Sequence, residues 1–364
     1  MGIAGKKIYQ FIPNLLEGDG IADNCLAIHR LLSENGCKSR IFAGSVHPEV
    51  TGLVSPIDCL DVPDLLLYHF GGPFDLLEEA TALPCRRGMI YHNVTPAEFY
   101  EPYDPATAQM CRRGRERLPR LREFFDFALA VSAYNRLELV HHGFPRAWEM
   151  PLVIDWPQCA PESGQGKTKE EELRLLFVGR MVPNKKVEDL LEVLARLRKS
   201  RRGGVSLTVV GYDDPEGAYG RYLRRRAVEL KVASLVDFAG RVARETLQDH
   251  YRRSTVFLTL SEHEGFCVPI LESMYFRLPV VAFAAGAVPE TVGDAGLLLD
   301  KKSPEQVAKA IELVADIPQL RRALTDRGAR RVKIFNLERT GSRLLAVLEE
   351  EFKEAGNRKR EAVT

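Results

Sequence analysis

The feature that most limits what this chain can fold into is a pattern laid down twice. Short apolar, β-branched runs alternate with segments of helical period. In the first half the strand-like runs are Ile8–Ile12, Arg40–Gly44, Leu65–Phe70, Gly88–Asn93 and Phe127–Val131. Pro13 to Gly20 reads as a loop, and Ile21–Asn35 as a helix that Gly36 closes. In the second half the runs are Arg174–Gly179, Val205–Gly211, Val236–Ala239, Val256–Leu260, Pro279–Phe283 and Gly296–Leu299. Helical period falls between them at Val187–Lys199, Tyr219–Leu230, Glu245–Arg253 and Pro304–Ala315. Strands alternating with helices predict parallel sheets covered on both faces. Residues 155–172, with Trp156-Pro157, Pro161 and Ser163-Gly164-Gln165-Gly166, read as a linker. The expected class is therefore α/β, two doubly wound modules in tandem. The expected boundaries are 1–155, a linker at 156–172, 173–340, and a last helix and tail over 341–364. The helix is placed near Ser342–Glu354, and the polar tail Asn357–Thr364 is expected to be disordered.

Composition narrows the function classes. A length of 364 residues suits two domains of average size. The formal net charge is +1, from 51 basic and 50 acidic residues, so no whole-chain attraction to nucleic acid is expected. Seven cysteines at scattered spacings, none in a C-x-x-C pair, read as reduced thiols of a cytoplasmic protein. The first residues lack a signal peptide's apolar core, and no apolar run could span a bilayer.

The chemistry concentrates at strand ends. Ser261 to Met274 follows the apolar run Val256–Leu260 and leads into a helix with Pro269 in its first turn. Open α/β sheets bind ligands at the carboxyl ends of strands, where helix N-termini offer unpaired N–H groups. Glu264 lies in this loop and Glu272 one turn into the helix, with seven residues between them. Carboxylates only accept hydrogen bonds, so they suit paired hydroxyls of a sugar or ribose. Gly179 ends another buried run, and Arg180 and Lys185 follow it before a helix, a pattern suited to a diphosphate. Gly18-Asp19-Gly20 lacks the third glycine of a dinucleotide fingerprint, so a nicotinamide enzyme is not expected. His69 and His92 each end an apolar strand, and His69 reads as a structural residue.

The run Glu264-Gly265-Phe266-Cys267-Val268-Pro269-Ile270-Leu271-Glu272 resembles the signature of the family 4 glycosyltransferases. These are retaining enzymes of the GT-B type, with two facing Rossmann-like domains and a last helix that crosses back to the first. Arg180 and Lys185 match the family's G-R-x-x-x-x-K motif, although Lys186 stands where many members have glycine. The resemblance implies that Arg180 and Lys185 hold the donor's diphosphate. It places Glu264 and the amides of Gly265, Phe266, Cys267 and Val268 on the sugar and phosphate, and Glu272 on the ribose. It implies that His92, in Tyr91-His92-Asn93-Val94-Thr95-Pro96, contacts the sugar near the reacting carbon. Gly18 and Gly20 would let a first-domain loop approach the diphosphate. Val236–Val242 is similar to the segment that flanks the base, and Pro289–Gly296 reads mainly as turn and cap chemistry. No Asp-x-Asp triplet is present, so neither metal nor cofactor is expected, and the nucleotide sugar enters as substrate. The expected reaction moves a hexose from GDP-mannose or a UDP-hexose to a glycan or lipid-linked acceptor. A glycoside hydrolase using Glu264 and Glu272 would leave Arg180 and Lys185 unexplained. A non-catalytic nucleotide-sugar-binding protein is the remaining alternative.

One basic run stands apart. Arg112 to Arg122 holds six arginines and one glutamate and precedes Phe124-Phe125. It suggests an acidic acceptor or peripheral contact with the cytoplasmic membrane face, the two phenylalanines adding apolar insertion. Pro119 is expected to interrupt the helix there. The plain alternative is a solvated helix face.

Overall fold

The computed structural model describes residues 2–16, 18–72, 75–144, 146–156, 172–201 and 203–361, the side chains of residues 49 and 355–361 excepted. The expected linker thus falls almost wholly outside the described residues, as do residues 362–364 of the expected tail. Two compact units form. The first gathers Met1–Val94, Met110–Trp156 and Ile334–Thr364, and the second gathers Thr95–Gln109 and Pro157–Lys333.

The first unit holds strands β1 (Lys7–Leu15), β2 (Lys38–Val46), β3 (Leu65–Phe70), β4 (Arg86–Tyr91), β5 (Phe127–Ala130) and β6 (Ala147–Glu149). They pair in parallel in the order β2-β1-β3-β4-β5-β6. All six residues of β3 are buried, as expected of a strand covered on both faces. Strand β1 runs through Pro13, which sequence pattern had assigned to a loop. Its pairing with β3 ends at Phe11–Tyr68, so the missing N–H of Pro13 falls where only β2 lies alongside. The short β6 carries too few residues to show a period.

The second unit holds β7 (Leu173–Val178), β8 (Val205–Val210), β9 (Val236–Gly240), β10 (Val256–Thr259), β11 (Val280–Phe283) and β12 (Gly296–Leu299). Their order is β12-β11-β10-β7-β8-β9, again parallel throughout. Counted within the unit this is the doubly wound order 3-2-1-4-5-6. Leu190, Leu194 and Leu197 of the helix Val187–Ser200 and Val307, Ile311 and Val314 of the helix Pro304–Asp316 complete one core with β7, β8 and β10.

Two helices differ from expectation. The helix Pro105–Leu121 continues through Pro119, because the proline sits in its last turn and removes a single ladder bond. Phe125, expected to be available for insertion, is buried against Tyr68, and Phe124 alone is exposed. The last helix is Leu337–Glu361, longer at both ends than expected and extending into the tail read as disordered. Among the described residues no helix is long and apolar enough to cross a membrane.

The last helix belongs to the first unit through one buried carboxylate. Glu351 is fully buried and accepts from Arg86 of β4, from Arg146 at 2.8 and 3.1 Å, and from the indole N–H of Trp148 at 2.8 Å. Removing one member of such a pair leaves buried charge uncompensated. Glu351→Ala should therefore destabilise the first unit by about 3–5 kcal/mol, read as a lower denaturant midpoint.

Candidate active site

The second sheet reverses its winding between β7 and β10. The chain leaves β7 toward β8 on one side and reaches β11 from β10 on the other, which opens a crevice at their carboxyl ends. The two stretches singled out from sequence follow these two strands, Gly179–Lys186 after β7 and Leu260–Cys267 after β10.

Within the crevice Lys185 and Glu264 meet. The Lys185 ammonium donates to both Glu264 oxygens at 2.7 Å, and the Glu264 side chain is only 7% exposed. Lys186 points elsewhere, into an ion network with Glu262 at 3.4 Å and Glu188 at 3.8 Å, and over the ring of Phe99. Its backbone is left-handed, φ 52°, a conformation glycine adopts without strain. Arg180 is exposed, and among the described residues its guanidinium has no ion-pair partner. Glu272 accepts from the phenol of Tyr251 at 2.7 Å. Burial and then the charge of Glu272 push the Tyr251 phenol well above its usual range, so it remains a donor. The two glutamates are thus held by different partners, Glu264 by a cation of the motif and Glu272 by a phenol.

Backbone clamps fix the loop after β10. Asn184, almost fully buried, donates to the carbonyl of His263 at 3.0 Å, while its own carbonyl receives the N–H of Glu262 at 2.9 Å. One residue therefore ties the β7 loop to the β10 loop. The Ala287 N–H reaches the Glu264 carbonyl at 3.0 Å across Gly286, where an added Cβ would lie 2.5 Å from that same oxygen. Thr291 donates to the Phe266 carbonyl at 2.6 Å, so the Pro289–Gly296 run does more than cap a turn. Cys267 opens the helix Val268–Tyr275 in the left-handed region, φ 74°. With Lys186, two non-glycine residues in these loops carry backbone strain of about 1–3 kcal/mol each. At the helix start Pro269 carries no N–H and the Ile270 N–H already donates to the Cys267 carbonyl at 3.2 Å, so of these first residues Val268 is the one whose N–H remains for a ligand.

Other residues line the carboxyl edge of this sheet. Val236–Gly240 is β9, and the Arg241 guanidinium lies 5.7 Å over the half-exposed ring of Tyr212, which follows β8. Gly211 is needed there because a Cβ would overlap the Gly179 carbonyl. The segment Thr95–Gln109 also packs in this unit: Phe99 contacts His263, Tyr100 reaches Asn184 at 3.5 Å, and Tyr103 stacks edge-on with Tyr219. Asn184, Gly286, Thr291 and Tyr251 were not recognised from sequence. Asn184, Gly286 and Thr291 act on backbone atoms, and Tyr251 on a carboxylate 21 residues away, all brought close by the fold, and no local pattern marks them.

The remaining expected residues lie in the first unit. Gly18 has φ 69° and open space around it, and Asp19 caps the helix Gly20–Glu34 by accepting from Ile21 N–H at 2.9 Å. His92 follows β4, and its Nε2 contacts Nδ1 of the buried His69 at 3.0 Å. Burial pushes the His92 imidazole down to about 3, so it stays neutral near pH 7.

With this geometry in place, comparison with known proteins is specific. Residues 161–331 match the family model for glycosyl transferases group 1. A D-inositol 3-phosphate glycosyltransferase of Geodermatophilus obscurus is 34% identical over 236 residues, 61% of this chain and 52% of that protein. A GDP-mannose-dependent alpha-(1-6)-phosphatidylinositol monomannoside mannosyltransferase of Mycobacterium tuberculosis is 30% identical over 220 residues, 56% of each chain. This chain spans about half the length of the curated relatives it matches. Among solved structures, a sucrose-phosphate synthase of Thermosynechococcus elongatus superposes with a TM-score of 0.75 at 19% identity, over 96% of this chain and 100% of that one, which shows the shared fold.

Gly286→Ala tests the clamp without removing a polar group. The new Cβ must displace the Glu264 carbonyl, and φ 56° disfavours alanine. A loss of about 1–3 kcal/mol is expected, measured by denaturant unfolding. An unchanged midpoint would show that the loop after β10 yields freely.

Proposed function

Since the chain belongs to the glycosyl transferases group 1 through residues 161–331, we propose that it moves a hexose from a nucleoside-diphosphate sugar to an acceptor hydroxyl, with retention at the anomeric carbon. The observation that carries this reading is the Lys185–Glu264 pair at the switch point of the second sheet, flanked by the exposed Arg180 and the start of the helix Val268–Tyr275.

The reaction breaks the bond between the anomeric carbon and the diphosphate oxygen, and negative charge grows on that oxygen. Arg180 and Lys185 stabilise it where it develops, with Lys185 shared between Glu264 and the diphosphate. Glu264, acting through two acceptor oxygens, takes hydrogen bonds from sugar hydroxyls, and the amides of residues 265–268 bind phosphate or sugar oxygens. Glu272 binds the ribose. His92 hydrogen-bonds the sugar. The acceptor oxygen attacks from the side the diphosphate leaves, through a short-lived oxocarbenium ion, and no side chain is assigned as covalent nucleophile. A hydrolase reading gives Lys185 no task, although Lys185 is the group that holds Glu264. GDP-mannose or a UDP-hexose is the proposed donor. The relatives named for inositol phosphate and phosphatidylinositol mannoside support a polyol, glycan or lipid-linked acceptor.

The enzyme is proposed to act in the cytoplasm, with peripheral contact to the cytoplasmic membrane face. Arg113, Arg117 and Arg120, with Glu116, line a shallow surface hollow of about 570 Å³ on the helix Pro105–Leu121. Arg115 is not part of that surface, since it donates inward to the Val94 carbonyl and to Glu138. Each basic residue near an anionic leaflet contributes about 1 kcal/mol at low salt.

Turnover with a panel of nucleotide sugars tests the proposal as a whole. Arg180→Ala and Lys185→Ala should each cost about 2–4 kcal/mol of transition-state stabilisation, seen in kcat with the fold intact. Wild-type kcat in the soluble double variant would remove the diphosphate assignment. For the surface, sedimentation with phosphatidylserine vesicles should show binding at low salt. It should be lost when Arg113, Arg117 and Arg120 become Gln, while turnover of a soluble acceptor is kept. No binding by the native chain would leave a wholly soluble enzyme.

A further inference from the structure

Three polar side chains in the first unit form a chain whose proton positions are fixed by its buried end. Gln10 of β1 is fully buried, and its amide Nε2 lies 3.1 Å from the carbonyl of Cys25 in the helix Gly20–Glu34. A carbonyl can only accept, so the amide nitrogen must face it and Oε1 must face the other way. Oε1 meets Nε2 of His69 at 3.0 Å, and His69 is 1% exposed. An amide oxygen also only accepts, so His69 carries a proton on Nε2. His69 is neutral, held well below its usual range by burial and then by His92, so its Nδ1 is a bare acceptor. That acceptor faces Nε2 of His92 at 3.0 Å. The ring planes are 11° from parallel with centroids 5.3 Å apart, a separation that fits an in-line, edge-to-edge hydrogen bond. The proton of neutral His92 therefore sits on Nε2, and its Nδ1 keeps the lone pair. Among the described residues that Nδ1 has no hydrogen-bond partner, and His92 is mostly buried without being sealed from solvent.

The surroundings hold the ring in this direction. The backbone N–H of His92 donates to the Phe70 carbonyl at 2.8 Å. A Cβ at Gly71 would come within 3.0 Å of the His92 Cβ and 3.1 Å of Ile21. Sequence analysis read His69 as structural. The geometry gives it a task that an apolar residue of the same size could not perform.

We propose that Gln10 and His69 are positioning residues that lock His92 as a neutral acceptor at Nδ1, so that it takes a hydrogen bond from a substrate hydroxyl and selects against a carboxylate at the same place. This rests on the reading of His92 as a sugar-binding residue. A hydroxyl can donate to the bare nitrogen. A carboxylate would set lone pair against lone pair, and the buried pair resists taking up the proton that would relieve it. We assign to the bare nitrogen the primary hydroxyl, which sits beside the ring oxygen that the reacting carbon shares and which a hexuronate replaces with a carboxylate, so the expected preference is for hexose donors over the corresponding hexuronates.

The relay can be read without turnover. Long-range 1H–15N spectra of protein labelled in its eight histidines, assigned with His92→Gln and His69→Phe, should show His69 and His92 both neutral and both protonated on Nε2 at pH 7. In His69→Phe, where Nε2 loses its acceptor, His92 should shift toward the form protonated on Nδ1. In parallel, kcat/KM is compared for UDP-glucose against UDP-glucuronate and for GDP-mannose against GDP-mannuronate. The native enzyme should favour the neutral sugar of the pair it uses, and His69→Phe should lower that preference by roughly tenfold. A native His92 that is charged or protonated on Nδ1 would overturn the proposal. So would equal use of hexose and hexuronate, or a His69→Phe variant with unchanged spectrum and preference. Failure to turn over any nucleotide sugar would count against the transferase reading alone, and the spectra would still decide whether the relay exists.

Discussion

Everything at the candidate active site hangs on the parallel pairing of β7 with β10. Only two registered pairs make it, Leu175 with Val256 and Leu176 with Phe257. They join strands about 80 residues apart in a chain whose intervening elements go to the other side of the sheet. The gain is apolar burial, since these four residues are all but inaccessible. The consequence is polar: two loops that share no local sequence end in one crevice, and Lys185 meets Glu264 across it.

The crevice is then made rigid by small residues and backbone hydrogen bonds more than by charge. Asn184 joins the two loops, Gly286 lets a neighbouring turn touch the Glu264 backbone, and Thr291 ties down Phe266. Strained backbone at Lys186 and Cys267 persists because these contacts over-determine it. A site held this way can present an ion pair and a helix start to a ligand without reorganising first, which is the condition for charge stabilisation to act on a transition state. The first unit follows the same logic with neutral groups. Its Gln10–His69–His92 chain begins at a backbone carbonyl whose inability to donate, together with the neutrality that burial imposes on His69, sets the protons beyond it.

Much of this was legible in the sequence, for identifiable reasons. The strands of the second unit are short, apolar and bounded by glycine or polar loops, so Val205, Val256 and Gly296 mark strand starts within the observed bounds. Glu264, Arg180 and Lys185 were visible because their spacing and their glycine and proline neighbours are local. Pro13 and Pro119 misled, since proline's cost depends on whether its missing N–H had a partner, and that is settled by the neighbouring strand or by the position within the helix. Phe125 could not be told from Phe124, because adjacent aromatics separate only when one is turned toward Tyr68.

The sequence by itself determined the class of fold, the parallel character of both sheets, and which strand-end loops carry the charged residues of the candidate site. These follow from periodicity and local chemistry, which short windows contain. Tertiary structure decided strand order, hence which two loops meet. It also decided which of Lys185 and Lys186 faces Glu264, and that His69 is a partner of His92 and not mere filling. Each of these depends on atoms far apart in the chain being brought within hydrogen-bond reach. That reach is set by sheet register and by the burial that selects it, and neither is written in any single stretch of residues.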